Sequence, residues 1–338
     1  AESAIYLISG SQILTSGGDI TLGGAYAGSE GNLYAATTNA GGGFAVRLIS
    51  ATLSAGGGDI RVYGRNIPFY GDGVFLSAVS ITTNGAGTIG IYGDSYGGSY
   101  TSGTTTFYGG ITFDINASLI QTENGNLTLK GILTESVSTS GYGINFYRQT
   151  GNSSFTNHIQ LLSQTGNINI TGDAGTTNGG GIGSSSWGNI YVGSPENNAF
   201  TASGNVKLMF SKYVGALNTG IRVKTSGNVT YEPTSTSFTT GQTFPYNTNN
   251  ILAESAASLT IGKADNTADI TISSAQNIAG DLTIFGGILT LNGNLTTTNN
   301  GNISLFSNSA LAGITAGRTI NAGGLFRYIP QANSFSTA

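Results

Sequence analysis

Short runs in which apolar and polar residues alternate recur from one end of the chain to the other. In Ile60-Arg61-Val62-Tyr63 the first and third side chains share one face and the second and fourth the other. That is the period of a half-buried strand, not of a helix. The same alternation appears in Ile20-Thr21-Leu22, Leu127-Thr128-Leu129 and Ile168-Asn169-Ile170, and in each case Gly followed by Asn or Asp opens the run. The clearest openings are Gly18-Asp19, Gly58-Asp59, Gly125-Asn126 and Gly166-Asn167. Further copies start at Gly188-Asn189, Gly204-Asn205, Gly227-Asn228, Gly280-Asp281 and Gly301-Asn302. Blurred copies occur at Gly87-Thr88-Ile89, Ala268-Asp269-Ile270 and Gly293-Asn294-Leu295.

A second pattern places glycine before a short apolar strand, as in Gly43-Phe44-Ala45-Val46, Gly73-Val74-Phe75-Leu76, Gly143-Ile144-Asn145-Phe146 and Gly181-Ile182. Between the two patterns lie Ser/Thr-rich steps such as Ile49 to Leu53, Val79 to Thr83 and Leu119 to Thr122, which supply a third strand. A strand set of this kind buries too little by itself and needs stacked neighbours to close a core, so the expected fold is an all-β parallel β-helix with essentially no α-helix. Gly18 to Gly58 is 40 residues, Gly87 to Gly125 is 38 and Gly125 to Gly166 is 41, while later gaps are about half as long. The spacing predicts coils of about 20 residues, the long gaps covering two coils each. About 15 coils spaced as strands in a sheet would make a rod of roughly 70 Å.

Asp19, Asp59, Asn126, Asn167, Asn189, Asn205, Asn228, Asp281 and Asn302 are thereby assigned to turns. Gly, Asn and Asp tolerate the left-handed backbone that a corner needs, and their side chains can bond along a stack. One interruption, residues 232–250, is bracketed by Pro233 and Pro245 and lacks the repeat. It predicts a loop or excursion, decorating the rod or marking a change in coil geometry, between coils over 1–231 and coils over 251–338, with Arg327 to Ala338 as a partial C-terminal cap, all in one continuous rod.

Composition agrees with this pattern. Glycine accounts for 54 of 338 residues, proline for 5, and charged residues for only 8%. Glycine at this density, mixed with Thr, Ser, Asn and β-branched residues, opposes helix and favours short strands. The formal charge of −4, with 12 basic against 16 acidic residues and no basic run, leaves no footprint for nucleic acid. No stretch has the apolar length of a membrane span, and no basic-then-apolar leader opens at Ala1, so the chain reads as a mature or excised piece.

Catalytic chemistry finds few residues to use. Cysteine is absent, and His158 is the sole histidine, in a Phe155-Thr156-Asn157 context without a nucleophile elbow, so it reads as a surface side chain. Paired carboxylates are the alternative, with Asp72, Asp94, Asp114 and Asp173 as candidates for a polysaccharide lyase or hydrolase. Asp72 and Asp94 read equally well as turn residues in their Gly-flanked settings. Gly56-Gly57-Gly58-Asp59 lacks the spacing of calcium-binding nonapeptides, which leaves at most an incidental Ca²⁺ at a turn and no cofactor. Tyr63, Tyr92, Phe285 and Phe306 fall just after the repeat in outward positions, and Tyr96, Tyr100 and Tyr108 crowd a Gly/Ser/Thr-rich run. Together they are the expected contact surface, suited to glycans or protein partners if exposed, unless the rings stack on one another along the rod.

Segments such as Ser54 to Gly64, Gln121 to Gly131 and Ser163 to Gly172 resemble the right-handed β-helix repeats of filamentous-haemagglutinin-like adhesins and autotransporter passengers of bacteria. The resemblance covers nearly the whole chain. It implies an extracellular or cell-surface protein used in adhesion or biofilm, with copies of itself, other matrix or surface proteins, or glycans as partners. The Asn-Pro-Asn-Gly signature of two-partner secretion is missing, as is a C-terminal barrel, so no export route is implied. The expected function is a non-catalytic adhesin shaft or fibre subunit, with a glycan-active β-helix enzyme or a glycan-binding module as alternatives.

Overall fold

The computed structural model describes residues 4–27, 33–37, 43–67, 71–96, 109–114, 116–134, 141–147, 158–175, 179–185, 188–215, 219–245, 253–314 and 316–330. Among these there is no helix, and the strands assemble into parallel sheets. Three strands recur in a fixed order, one to each sheet: Val74–Ser77, Ser80–Thr83 and Ile89–Ser95, then Gly109–Phe113, Ser118–Thr122 and Leu127–Leu133. Each strand pairs with its counterpart in the preceding and following round. The first two sheets have seven strands each, and the Ser/Thr-rich steps form the second of them. The third sheet, begun by the Gly-Asn/Asp repeats, continues from Ile20–Leu22 to Phe326–Pro330. The described exception to parallel pairing is Tyr26–Ala27 against Leu33–Thr37.

Register puts like on like. Ile60, Ile89, Leu127, Ile168 and Val206 are successive partners, all buried, as are Val62, Ile91, Leu129, Ile170 and Leu208. Val74, Ile111 and Ile144 of the first sheet and Leu53, Ile81 and Ile120 of the second close the same core. Stacked branched side chains remove apolar surface from water in every round, which is what one round cannot do alone.

Round length departs from expectation. Ile20 pairs directly with Ile60, Ile89 with Leu127 and Leu127 with Ile168, so no second round is hidden in the long gaps. Among the described residues the third-sheet ladder passes through Ile20, Ile60, Ile89, Leu127, Ile168, Val206, Val229, Leu259, Leu282, Ile303 and Phe326, eleven rungs against an expected fifteen coils. Extra residues separate Tyr142–Tyr147 from Ile159–Ser163 in one round and Gly188–Gly193 from Val206–Phe210 in the next, but most often they leave the round after the third strand. There Gly64, Gly93, Gly131 and Gly172 lie against Gly73, Gly110, Gly143 and Gly181, where the first strand of the next round begins. A Cβ on Gly93 would stand 1.9 Å from the Gly110 carbonyl oxygen, so the base of the excursion closes only between glycines. Toward the C-terminus the excursions vanish. Asp281–Leu291 and Ile303–Ile314 run from the third strand straight on, and Leu282 and Ile303 are partners only 21 positions apart in the chain.

The proline-bracketed segment interrupts the repeat but contributes to the interior. It holds the strand Gln242–Phe244, and Phe238 and Phe244 are buried. They join Phe210, Tyr213 and Tyr231 with ring centroids 5.2 to 6.4 Å apart, next to the last strand of the first sheet, Tyr213–Gly215. Aromatic volume fills the interior where the sheet changes. The described part of the expected C-terminal cap is likewise a strand, Phe326–Pro330, paired in register with Ile303–Ser307.

Candidate functional site

The repeated Asn and Asp residues build one structure, a ladder of side chains. Asp19 Oδ1 accepts from the Asp59 backbone N–H at 2.9 Å, and Asp59 Oδ1 from that of Thr88 at 2.8 Å. Asn126, Asn167 and Asn205 each accept, at 2.9 Å, from the backbone N–H of the next member, Asn167, Asn205 and Asn228. Asn228 takes the Ser258 hydroxyl, Asp281 the Asn302 N–H and Asn302 the Leu325 N–H. Except at Ser258, where a hydroxyl donates, the corner amide N–H of each of these rounds is satisfied by the round before it. The Thr88 N–H bond, with help from Arg61, holds the Asp59 carboxyl below the usual carboxylate range against the opposing effect of burial. Asn189 is a correction: it lies inside Gly188–Gly193, a strand of the second sheet, paired to Gly220 and outside the ladder.

The reason for the motif's glycine also differs from expectation. None of Gly18, Gly58, Gly87, Gly125, Gly166, Gly204, Gly227, Gly280 and Gly301 has a positive φ, and neither do the Asn and Asp residues that follow them. The left-handed corners fall elsewhere, at Ser9, Ser50 and Ala78 between the first and second sheets and at Gly17, Gly56 and Gly85 just ahead of the motif. What excludes a side chain is the round below. A Cβ on Gly125 would lie 1.9 Å from the Gly87 carbonyl oxygen, on Gly166 2.0 Å from that of Gly125, and on Gly204 1.9 Å from that of Gly166.

The expected aromatic surface is largely turned to stacking. Tyr63 is buried, its ring 5.4 Å from Tyr34 and 5.0 Å from Tyr92, nearly parallel to the latter. Phe285 and Phe306 stack at 4.6 Å. Parallel in-register strands place equivalent rings one sheet spacing apart, which makes face-to-face contact the natural arrangement. The column is also broken, because Tyr92 is followed by Lys130, Thr171, Met209 and Glu232. Tyr96 is half-buried, and Tyr100 and Tyr108 lie outside the described residues.

Of the four carboxylate candidates, Asp72 and Asp114 come to one side of the first sheet. Asp72 is buried and accepts from the Gly109 N–H and the Thr112 hydroxyl, both at 2.6 Å. Burial pushes its carboxyl up to about 7, with the Asp114 charge adding to the rise and the bonds from Thr112 and Gly109 opposing it. Asp114 accepts from Ser77 Oγ at 3.2 Å. Asp94 and Asp173 occupy one column of the third sheet with Ile132 between them, and Asp173 accepts from the Gly175 N–H and the Thr234 hydroxyl. Asp72 and Asp114 thus tie neighbouring rounds together. An open cleft of about 300 Å³, lined by Ile5, Gly23, Gly24, Tyr26, Tyr34 and Ala35, contains no carboxylate. Among the described residues no group of three or more His, Asp or Glu side chains could hold a metal ion.

One polar cluster had no sequence signal. His158, expected at the surface, is mostly buried: its Nε2 pairs with Glu196 Oε1 at 2.9 Å and its ring stands edge-on to Tyr191 at 5.3 Å. Tyr191 also carries the Arg222 guanidinium over its ring at 5.9 Å. Arg222 grips one oxygen of Glu254, Oε2, through Nε at 2.8 Å and Nη2 at 2.6 Å. The other oxygen, Oε1, faces Lys224 Nζ at 3.3 Å, and that same Nζ donates to Asn198 Oδ1 at 3.0 Å. Burial raises the Glu254 carboxyl, but the bonds and charges of Arg222 and Lys224 outweigh it and hold the group below its ordinary value. Residues this far apart in the chain meet only because strands of successive rounds pair, Tyr191 with Arg222 and Gly193 with Lys224.

No family model, curated protein or solved structure matches the chain.

Proposed function

We propose that the chain is a right-handed parallel β-helix serving as a non-catalytic structural element at the bacterial surface or outside the cell, an adhesin shaft or fibre subunit. The ladder and the glycine column carry this reading: the residues the chain repeats most faithfully are spent on joining one round to the next. A module selected for binding or turnover would be expected to repeat or gather groups that face outward. Here the repeated aromatic rings stack on each other, and Asp72 and Asp114 accept bonds from neighbouring rounds. The proposed role needs no cofactor. Its partners are other copies or other matrix and surface proteins, with glycans as a further class. Incubation with a panel of surface and matrix polysaccharides tests the reading. The expected result is no released product. Release of oligosaccharides would overturn it in favour of a glycan-active enzyme, and saturable binding without turnover would favour a glycan-binding module.

A further inference from the structure

From the contacts of Lys224 we infer a covalent cross-link: an isopeptide bond between Lys224 Nζ and Asn198 Cγ, formed by the protein on itself. Three observations carry it. The amine donates to the very carbonyl it would attack, with Nζ 3.0 Å from Asn198 Oδ1. The lysine side chain is only 17% exposed, so it is held against the protein, while the Asn198 turn faces solvent. Glu254 is held for proton transfer, its Oε2 fixed by Arg222 and its Oε1 turned to the amine.

The reaction balances without any outside reagent. Glu254 takes a proton from the Lys224 ammonium, and the free amine adds to the Asn198 side-chain carbonyl carbon. Glu254 returns the proton to the departing Nδ2. The Cγ–Nδ2 bond breaks as the Cγ–Nζ bond forms, and the second amine proton leaves with the product ammonia as ammonium. No electrons are exchanged. Two groups held in contact react as an intramolecular pair, the circumstance in which weakly reactive partners gain most from positioning. The turn containing Asn198 is fixed by a bond from the Asn198 N–H to the Pro195 carbonyl, and Asn198 itself has φ 54°, so the side chain is presented from a defined corner. The product would fasten the 194–200 turn to Thr219–Lys224, the second-sheet strand of the following round. A shaft that bears tension gains from such a bond because it closes a 26-residue interval covalently.

Mass spectrometry of the intact, purified chain provides the test. The wild type is expected to be lighter than its sequence by one ammonia, and trypsin is expected to release a branched peptide joining 149–207 to 223–263, uncut after Lys224. Lys224→Arg and Asn198→Ala should each restore the full sequence mass. Glu254→Gln, which keeps an oxygen for the amine but cannot take its proton, should do the same while circular dichroism stays that of the wild type. An unmodified wild-type mass after prolonged incubation would overturn the inference. So would ammonia loss without the branched peptide, the mark of a succinimide at asparagine.

Discussion

Glycine in this chain acts through space more than through backbone freedom. Gly166 has an ordinary φ, yet a methyl group there would overlap the Gly125 carbonyl oxygen. Gly18 occupies the same position in the first described round, and the nearest atom to its Cβ would be Thr15 Cβ at 3.7 Å, an ordinary contact. Gly166→Ala is therefore expected to cost about 3 kcal/mol or more, as overpacking does, while Gly18→Ala in the same 338-residue chain stays near wild type. Chemical denaturation of the two variants checks this, and equal midpoints would mean that the column is not under contact. At Asp72 the test is pH. Its folded-state carboxyl titrates at about 7 against 3.8 for the free group, so the folded protein holds the proton more tightly. Stability from this group is full below the unfolded value and is lost as pH rises through the folded one, by on the order of a few kcal/mol. Asp72→Asn keeps an acceptor for Gly109 and Thr112 without the charge. Its advantage in Tm over wild type should grow between about pH 4 and pH 7 and level off above. Parallel profiles would refute the assignment.

At the scale of strands, alternation in the sequence was a sufficient guide where burial is one-sided. Ile60 and Val62, or Leu127 and Leu129, could be placed inward from period alone, because a residue shifted by one would face the other way. Round length was not legible from spacing, because a gap of 40 residues is the same whether it holds two rounds or one round with an excursion. The paired glycines that close the excursions, such as Gly93 with Gly110, are ordinary glycines until the two chain segments are seen together. Asn189 shows the converse: its Gly-Asn-Ile context copies the motif, but its strand belongs to another sheet. The Lys224, Glu254 and Asn198 cluster was invisible for a similar reason, since its members come from different rounds. The same holds for the aromatic interior near Phe210, which touches Tyr213, Phe238 and Phe244. Phe210→Ala is expected to cost about 3–5 kcal/mol by opening a cavity there, and denaturant unfolding with loss of native strand signal reads the effect.

For the whole molecule, the claim that matters is that each Gly-Asn/Asp copy in the third sheet marks one round and that the rounds stack in register. Stiffness, reach and the shaft reading all depend on it. Thr21 and Thr260 occupy the same column, seven paired steps apart through Arg61, Gly90, Thr128, Asn169, Lys207 and Thr230. The chain has no cysteine, so Thr21→Cys together with Thr260→Cys can be spin-labelled without background. Pulsed dipolar EPR then measures their separation. Direct stacking predicts a single narrow distribution near about 34 Å, whereas coils of 20 residues along the same stretch would place the labels about 57 Å apart. A distance near the longer value, or a broad distribution, would contradict the account.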